Sequence, residues 1–382
     1  MKDDINKASR LNQLDSLRVF MTAFVMFAHF EFLVGYSYGE FYFTYIKNPT
    51  LAVDYFFMLS GFGLLYGSYN KDREKSTVKD SIVFAINKIK KIYPLYVFSL
   101  IVSVPYILFS RRHVPLIDNI TCTVKEFALC LTMLQSGTLT LSLSHAINGV
   151  CWFLSTLFIC YMICPLAINF LIKRLKSIGR CIVYLGVIIG IVYVLTYIFN
   201  SVNGTYFIRG RRIDDLVYGS PFIRCWYMII GMVVAKLSII LSRRLALSRK
   251  ISTIIEIICV SVALLWTIFR NSFDFVAGKR PIDLIICASL LLIISLGYGV
   301  ISDFLTRPKL AMLGKNTMYI FLLHYPIRHY VDYILFRNIH LGEITGIVMV
   351  GTIIILSVLA SYVIYKIFHK IEMYGRRNND IK

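Results

Sequence analysis

Residues 181–199 read CIVYLGVIIGIVYVLTYIF and contain no charged side chain. A helix of this length rises about 28 Å, close to the roughly 30 Å hydrocarbon core of a bilayer. Similar apolar blocks recur along the 382-residue chain, which is 57% hydrophobic and only 16% charged. Soluble domains average about 45–50% apolar and about 25% charged residues. The pattern predicts an all-α, polytopic integral membrane bundle and excludes a soluble enzyme, a secreted disulfide scaffold and a disordered chain.

Ten such blocks predict about ten transmembrane helices. With the N-terminus inside, the cytoplasmic segments and span boundaries carry 26 Lys and Arg residues, whereas the outside loops carry 11. Because Lys and Arg concentrate in cytoplasmic loops, both termini are predicted to be cytoplasmic. We expect an N-terminal segment at 1–16, a membrane domain at 17–368 and a basic tail at 369–382. The predicted spans are 17–36, 51–69, 92–110, 149–172, 181–199, 218–241, 251–269, 281–300, 312–335 and 343–368.

The shorter apolar segment 126–142 is interrupted by Gly137 and is rich in Ser and Thr. It predicts a re-entrant or interfacial segment rather than an eleventh crossing. An eleventh crossing would place the basic C-terminal cluster outside, against the positive-inside rule.

The high positive charge and the nine cysteines are both consistent with a membrane protein. The formal net charge of +20 would indicate nucleic-acid binding in a soluble chain. Here the cations lie in short loops, so we expect no nucleic-acid partner. The nine cysteines form no CxxC pair and lie mostly in or beside apolar segments. Apolar packing explains them better than metal ligation, so no metal cofactor is predicted.

The first predicted span contains two ionisable residues, Arg18 and His29. Such residues are functional candidates because they cost free energy to insert. They project from one helix face, since eleven residues make about three full turns, and their axial separation is about 16.5 Å. A cation at the cytoplasmic boundary and an imidazole deep in the membrane suit an anionic ligand that feeds a reactive group into a cavity. The alternative is that Arg18 snorkels to the interface and His29 bonds a neighbouring helix.

The second predicted span contributes Asp54, Ser60 and Gly61. Asp54 lies near the outer end and shares a helix face with Gly61, seven residues further on. It is a candidate functional carboxylate, or alternatively a capping or interfacial one. Ser60 and Gly61 alternatively allow another helix to approach closely.

A basic cluster of Lys88, Lys90 and Lys91 precedes the third predicted span. Facing the cytosol, it could hold phosphates. It could equally follow from the positive-inside rule or contact anionic lipids.

His324 is the second imidazole predicted to lie deep in the membrane. It is about nine residues, or roughly 14 Å, from the cytosolic end of the ninth span, at a depth similar to that of His29. A single buried histidine is more often structural than catalytic. Pro326, two residues on, predicts a kink whose freed backbone groups need other partners.

Four sequence blocks contain these candidates. They are DSLR at 15–18 followed by His29, DYFFMLSGF at 54–62, KIKKIYP at 88–94 and LGKNTMYIFLLHYPI at 313–327. In this order they resemble the blocks of the membrane-bound acyltransferase-3 family, which includes bacterial polysaccharide O-acetyltransferases. Ser16 stands where the family usually has glycine, and lysines stand where arginines are common. Residues 152–155, WFLS, resemble a variant of a further family block that lacks its glutamate.

The resemblance implies an O-acyltransferase domain over 17–368 in a bacterial plasma membrane. Its donor would be cytosolic acyl-CoA, with acetyl-CoA preferred, and its acceptor a hydroxyl of a glycan or lipid-linked saccharide. Arg18 with Lys88, Lys90 and Lys91 would neutralise the CoA phosphates. His29 would act as general base or carry the acyl group, and Asp54, Ser60 and His324 are further candidates. A secondary transporter or glycolipid flippase, and a non-catalytic membrane scaffold, are the alternatives, and the oligomeric state stays open.

Overall fold

The computed structural model describes residues 11–30, 45, 49–69, 77–202, 204, 207–208, 211–245, 247–273, 276–333 and 343–379, and these residues are overwhelmingly helical. The predicted all-α class is confirmed. A two-residue antiparallel pair, Phe207–Ile208 with Arg211–Arg212, is the strand structure of the described part. The helices are α1 (Asn12–Ala28), α2 (Thr50–Tyr66), α3 (Val78–Ile89), α4 (Tyr93–Ser110), α5 (Leu116–Leu131), α6 (Leu141–Ser144), α7 (Cys151–Ile163), α8 (Ile168–Arg174), α9 (Ile178–Val202), α10 (Pro221–Arg244), α11 (Arg249–Phe269), α12 (Val276–Leu296), α13 (Val300–Leu305), α14 (Pro308–Val331) and α15 (Glu343–Asn379), with 3-10 turns at Gln135–Thr138, Cys164–Ala167 and Arg270–Ser272.

Each of the ten predicted spans contains a helix, and the chain is a multi-pass membrane protein. Among the described residues, six helical segments are long and apolar enough to cross a bilayer. Helices α1 and α2 have only 17 residues each, and α12 and α14 carry several charged side chains. The total of ten crossings, with both termini inside, therefore stays a prediction. The six segments are Tyr93–Ser110, Cys151–Arg174, Ile178–Val202, Pro221–Arg244, Arg249–Ser272 and Val348–Lys370.

The first helix is displaced from its predicted span at 17–36. It begins at Asn12 and ends at Ala28, and residues 31–36 lie outside the described part of the chain. The early start follows from packing, because Asp15 and Ser16 are buried although both are polar. Ser16 Oγ donates a hydrogen bond of 2.5 Å to the Leu305 carbonyl, and a Cβ atom at Gly314 would overlap the backbone of Asp15.

The segment 126–142 is not one continuous element. Helix α5 ends at Leu131, and a 3-10 turn and the short helix α6 follow. Met133 and Leu139, on either side of the turn, have φ values of 55° and 56°, in the left-handed region where an L-residue cannot continue a right-handed helix. Helix α5 exposes an apolar strip that includes Leu116 and Val124, as is typical of helices that lie in a membrane interface.

Helices α2 and α10 cross with their backbones in contact. A Cβ atom at Gly61 would overlap the backbone of Met228, and one at Gly231 would overlap the backbone of Met58. The two glycines thus form a reciprocal pair. Helix association in membranes relies on such small residues, because apolar side chains have no water to escape from. Close approach of another helix was the alternative interpretation of Ser60 and Gly61 in the sequence, and Gly61 shows it here.

The same two helices share a buried ion pair. Asp54, near the start of α2, accepts a hydrogen bond from the guanidinium of Arg224, near the start of α10, and both side chains are fully buried. Arg280 Nη1 of α12 lies 3.6 Å from the second carboxylate oxygen, Asp54 Oδ2. A buried charge is tolerated only when it is paired, so the three helices are tied together at this point.

We predict that Gly61→Ala destabilises the fold, because its methyl group forces α2 and α10 apart; overpacking of this kind costs about 1–3 kcal/mol. The measurement is thermal unfolding in detergent, followed with a thiol-reactive dye that reports the buried cysteines. Gly63→Ala on the same helix is the matched control, since nothing lies within 4 Å of its added Cβ. Equal melting temperatures for the two variants would contradict the close-packed crossing.

Asp54→Ala should destabilise the protein by about 3–5 kcal/mol, because it leaves Arg224 buried without its carboxylate. The double variant Asp54→Leu with Arg224→Met should recover part of this loss, since the fully buried pair disappears together and only the less buried Arg280 loses a partner. The same unfolding measurement compares the single variant, the double variant and the unmodified protein. Wild-type stability of Asp54→Ala would show that the ion pair does not hold the bundle together.

Candidate active site

A cavity of about 410 Å³ lies beside the start of α1. Arg18 and Asp15 line it from α1, Ser60 and its neighbours from α2, Lys88 from α3 and Tyr161 from α7. The wall combines apolar surface with cationic groups, so it suits a ligand that is both anionic and partly apolar.

Arg18 is the cation placed most directly on this cavity. Its Nε lies 3.7 Å from Asp15 Oδ1, and its side chain is 37% exposed. No hydrogen bond to this buried Nε atom is found among the described residues. The guanidinium is therefore held by Asp15 from one side and still has donors for a ligand. Ser60 also lines the cavity, but its hydroxyl donates to the Phe56 carbonyl at 2.8 Å.

The three predicted lysines are not equivalent. Lys88 lines the cavity, and its Nζ lies 5.3 Å from the centroid of the Phe84 ring. Lys90 and Lys91 follow the end of α3 at Ile89, are exposed, and are not among the residues that line the cavity. All three lysines are exposed, but of the three only Lys88 lines the cavity with Arg18.

His29 stands at the opposite end of α1. The helix is continuous from Asn12 to Ala28, and His29 keeps helical torsion angles (φ −87°, ψ −2°). Arg18 and His29 therefore project from the same side, about 16.5 Å apart along the axis. His29 is half-buried and is not among the residues that line the 410 Å³ cavity. The cavity therefore lies at the Arg18 end of this helix face, and His29 is not part of its wall.

His324 of α14 contacts His29 directly. His29 Nδ1 lies 2.9 Å from His324 Nε2, and the planes of the two rings are nearly parallel, with an interplanar angle of 13°. The Tyr325 ring meets His29 edge-on, with centroids 5.6 Å apart. The sequence placed the two histidines at a similar depth, and the structure brings them into one hydrogen-bonded pair.

The kink predicted at Pro326 has a specific backbone partner. Because proline has no N–H, the Leu322 carbonyl one turn earlier loses its helical hydrogen bond. Asn148, just before α7, donates to that carbonyl from Nδ2 at 3.1 Å. A Cβ atom at the adjacent Gly149 would overlap the Tyr325 ring. The Asn148-Gly149 pair thus holds the stretch of α14 that carries His324.

Loops on the predicted outer side contain further ionisable groups. Asp215 Oδ1 accepts a hydrogen bond of 2.7 Å from the Gly219 N–H, and the ring of His145 lies 5.8 Å from that of Trp152. Burial raises the pKa of the Asp215 carboxyl and lowers the pKa of the His145 imidazole. Their contacts hold the loops together, and we assign them no part in the chemistry.

The sequence analysis missed the partner of Asp54. It identified no partner for this carboxylate, whereas the structure pairs Asp54 with Arg224 in the bundle interior. The sequence did contain a signal for this contact, because Asp54 and Arg224 carry opposite charges and both lie near the predicted outer ends of their spans. A second such pair joins Arg270 and Asp283 at 2.8 Å, and Trp266 Nε1 also donates to Asp283.

No group of three His, Cys, Asp or Glu side chains in the described part of the chain is placed to hold a metal ion. The candidate site comprises two histidines at one end of α1 and the cationic cavity at the other end.

Comparison with known proteins gives one finding that covers nearly the whole chain. The family model Acyl_transf_3, described as an acyltransferase domain, matches residues 11–366. No curated protein and no solved structure shows a significant match. The match includes all four sequence blocks, the cationic cavity and the histidine pair. This multi-pass membrane protein therefore belongs to the acyltransferase-3 family.

Proposed function

We propose that the protein transfers an acyl group, with acetyl as the first candidate, from cytosolic acyl-CoA to a hydroxyl of a cell-surface glycan or glycolipid. The observation that carries the proposal is the arrangement on α1, with a cationic cavity at Arg18 and the imidazole of His29 on the same helix face. The organism would be bacterial and the site of action its plasma membrane, modifying polysaccharide.

The donor would be held at the cytosolic end. Arg18 and Lys88 face one cavity, and two cations of this kind suit the phosphates of CoA. Arg18 offers a planar fork of donors, and Lys88 a compact point charge. The extended pantetheine arm would then run along the common face of α1 toward His29. Thr22 and Val25 on that face are buried, so their packing has to open before the thioester can reach the imidazole.

His29 would act as the general base. The acceptor hydroxyl gives its proton to His29 as its oxygen attacks the thioester carbonyl carbon. The carbon–sulfur bond breaks, and the CoA thiolate takes the proton from His29. An imidazole suits this exchange because its ordinary pKa lies close to neutral pH. Capture of a labelled acyl group on His29 would indicate the covalent route instead.

We predict that His29→Ala and His29→Gln abolish glycan O-acylation while protein levels stay normal. General base catalysis typically contributes about 10²–10⁴-fold in rate, and both variants remove the base. The measurement is transfer of label from acyl-CoA in membrane vesicles, together with mass spectrometry of the surface glycans. His113→Gln, at an exposed loop position, is the matched control. Normal acylation in both His29 variants would remove this residue from the mechanism.

Arg18→Ala and Lys88→Ala should raise the KM for acyl-CoA by about tenfold, because a hydrogen bond to a charged group contributes about 1.5–3 kcal/mol. Lys90→Ala is the control, since Lys90 is equally cationic but lies outside the cavity lining. Initial rates against acyl-CoA concentration give the comparison. If Lys90→Ala weakens donor use as much as Lys88→Ala does, the phosphates are held by overall positive charge rather than by the cavity.

A further inference from the structure

A chain of three hydrogen-bonding groups ends at His29. The Ile320 carbonyl oxygen lies 3.1 Å from His324 Nδ1, and His324 Nε2 lies 2.9 Å from His29 Nδ1. Both distances are within the range of real hydrogen bonds.

The carbonyl at the start of this chain sets the direction of every bond. A carbonyl oxygen only accepts, so the proton on His324 must be on Nδ1. In a neutral ring the other nitrogen, Nε2, then carries a lone pair and accepts from His29 Nδ1–H. His29 in turn has its lone pair on Nε2, the atom available to a substrate.

The surroundings of His324 favour its neutral form. The side chain is fully buried, and none of the ion pairs formed by the described residues includes it. The guanidinium of Arg328, one helical turn further along α14, adds like charge. Placing an unpaired second charge at such a position is costly, so one proton on the ring is the stable state.

We propose that His324 is a positioning residue that holds His29 in the tautomer with its proton on Nδ1, leaving Nε2 as the base. This inference rests on the proposed function. During transfer, Nε2 takes the hydroxyl proton and passes it to the CoA thiolate, while the Nδ1 proton stays bonded to His324. Serine hydrolases use a carboxylate to orient their histidine. Here a neutral imidazole does so, without adding a charge to a site within the membrane.

The principal test compares two rings of the same size. His324→Ala should lower kcat by about 10²-fold or more, because a wrong tautomer or a lost orienting group has effects of this order or larger. Added imidazole should restore at least tenfold of the lost rate, because it donates to Ile320 and accepts from His29. Pyrrole fills the same space and donates but has no nitrogen lone pair to accept with, so it should restore nothing.

A second pair of variants addresses folding. Gln and Met have similar length, but the Gln carbonyl accepts a hydrogen bond strongly, whereas a thioether is a weak acceptor. His324→Gln should therefore keep a kcat at least tenfold above that of His324→Met at equal protein levels. Wild-type kcat in His324→Ala, equal rescue by pyrrole, or equal rates for the Gln and Met variants would each overturn the positioning role.

These outcomes distinguish failure of the proposed acyl transfer from failure of the proposed role of His324. If the unmodified protein transfers no label from acyl-CoA, the proposed function fails and the positioning role falls with it. If the unmodified protein is active and His29→Ala is inactive, but His324→Ala is fully active, only the role of His324 is wrong.

Discussion

The crossing of α2 and α10 is the constraint on which the rest of the bundle depends. Two glycines allow the backbones to touch, and the Asp54–Arg224 pair holds the same helices together nearer their starts. The ion pair depends on the crossing, because its two side chains can meet only if the helices are close. The crossing is in turn stabilised by the ion pair, because helices in lipid gain little from burying apolar side chains. Helix α2 in turn supplies Ser60 and its neighbours to the wall of the cavity opposite Arg18.

Polar groups inside this protein are satisfied locally and mostly without net charge. Asn148 compensates for the carbonyl freed by Pro326, and the rings of His29 and His324 contact each other through one pair of nitrogens. The charges of Asp54 and Arg224 are paired, and Arg18 and Lys88 line the cationic cavity at the other end of α1 from the histidine pair.

The sequence predicted a helix in each of the ten apolar blocks, because apolar length and helical period are local properties. It did not predict the shorter helices that lie between those blocks, such as α3 and α13. It could not pair Asp54 with Arg224 or His29 with His324, since those contacts join residues 170 and 295 positions apart. It also grouped Lys88 with Lys90 and Lys91. Lys88 lies on α3, whereas Lys90 and Lys91 follow its last residue, Ile89. The exact end of a helix is weakly encoded in the sequence. The start of α1 was placed too late, because packing against Gly314 buries polar residues that the hydropathy pattern assigned to the cytosol.

The Asn148–Leu322 hydrogen bond has a mechanical consequence. It holds one turn of α14 from outside that helix, next to the turn whose Ile320 carbonyl contacts the His324 ring. A displacement of the segment before α7 would therefore move that turn, and with it the ring that contacts His29.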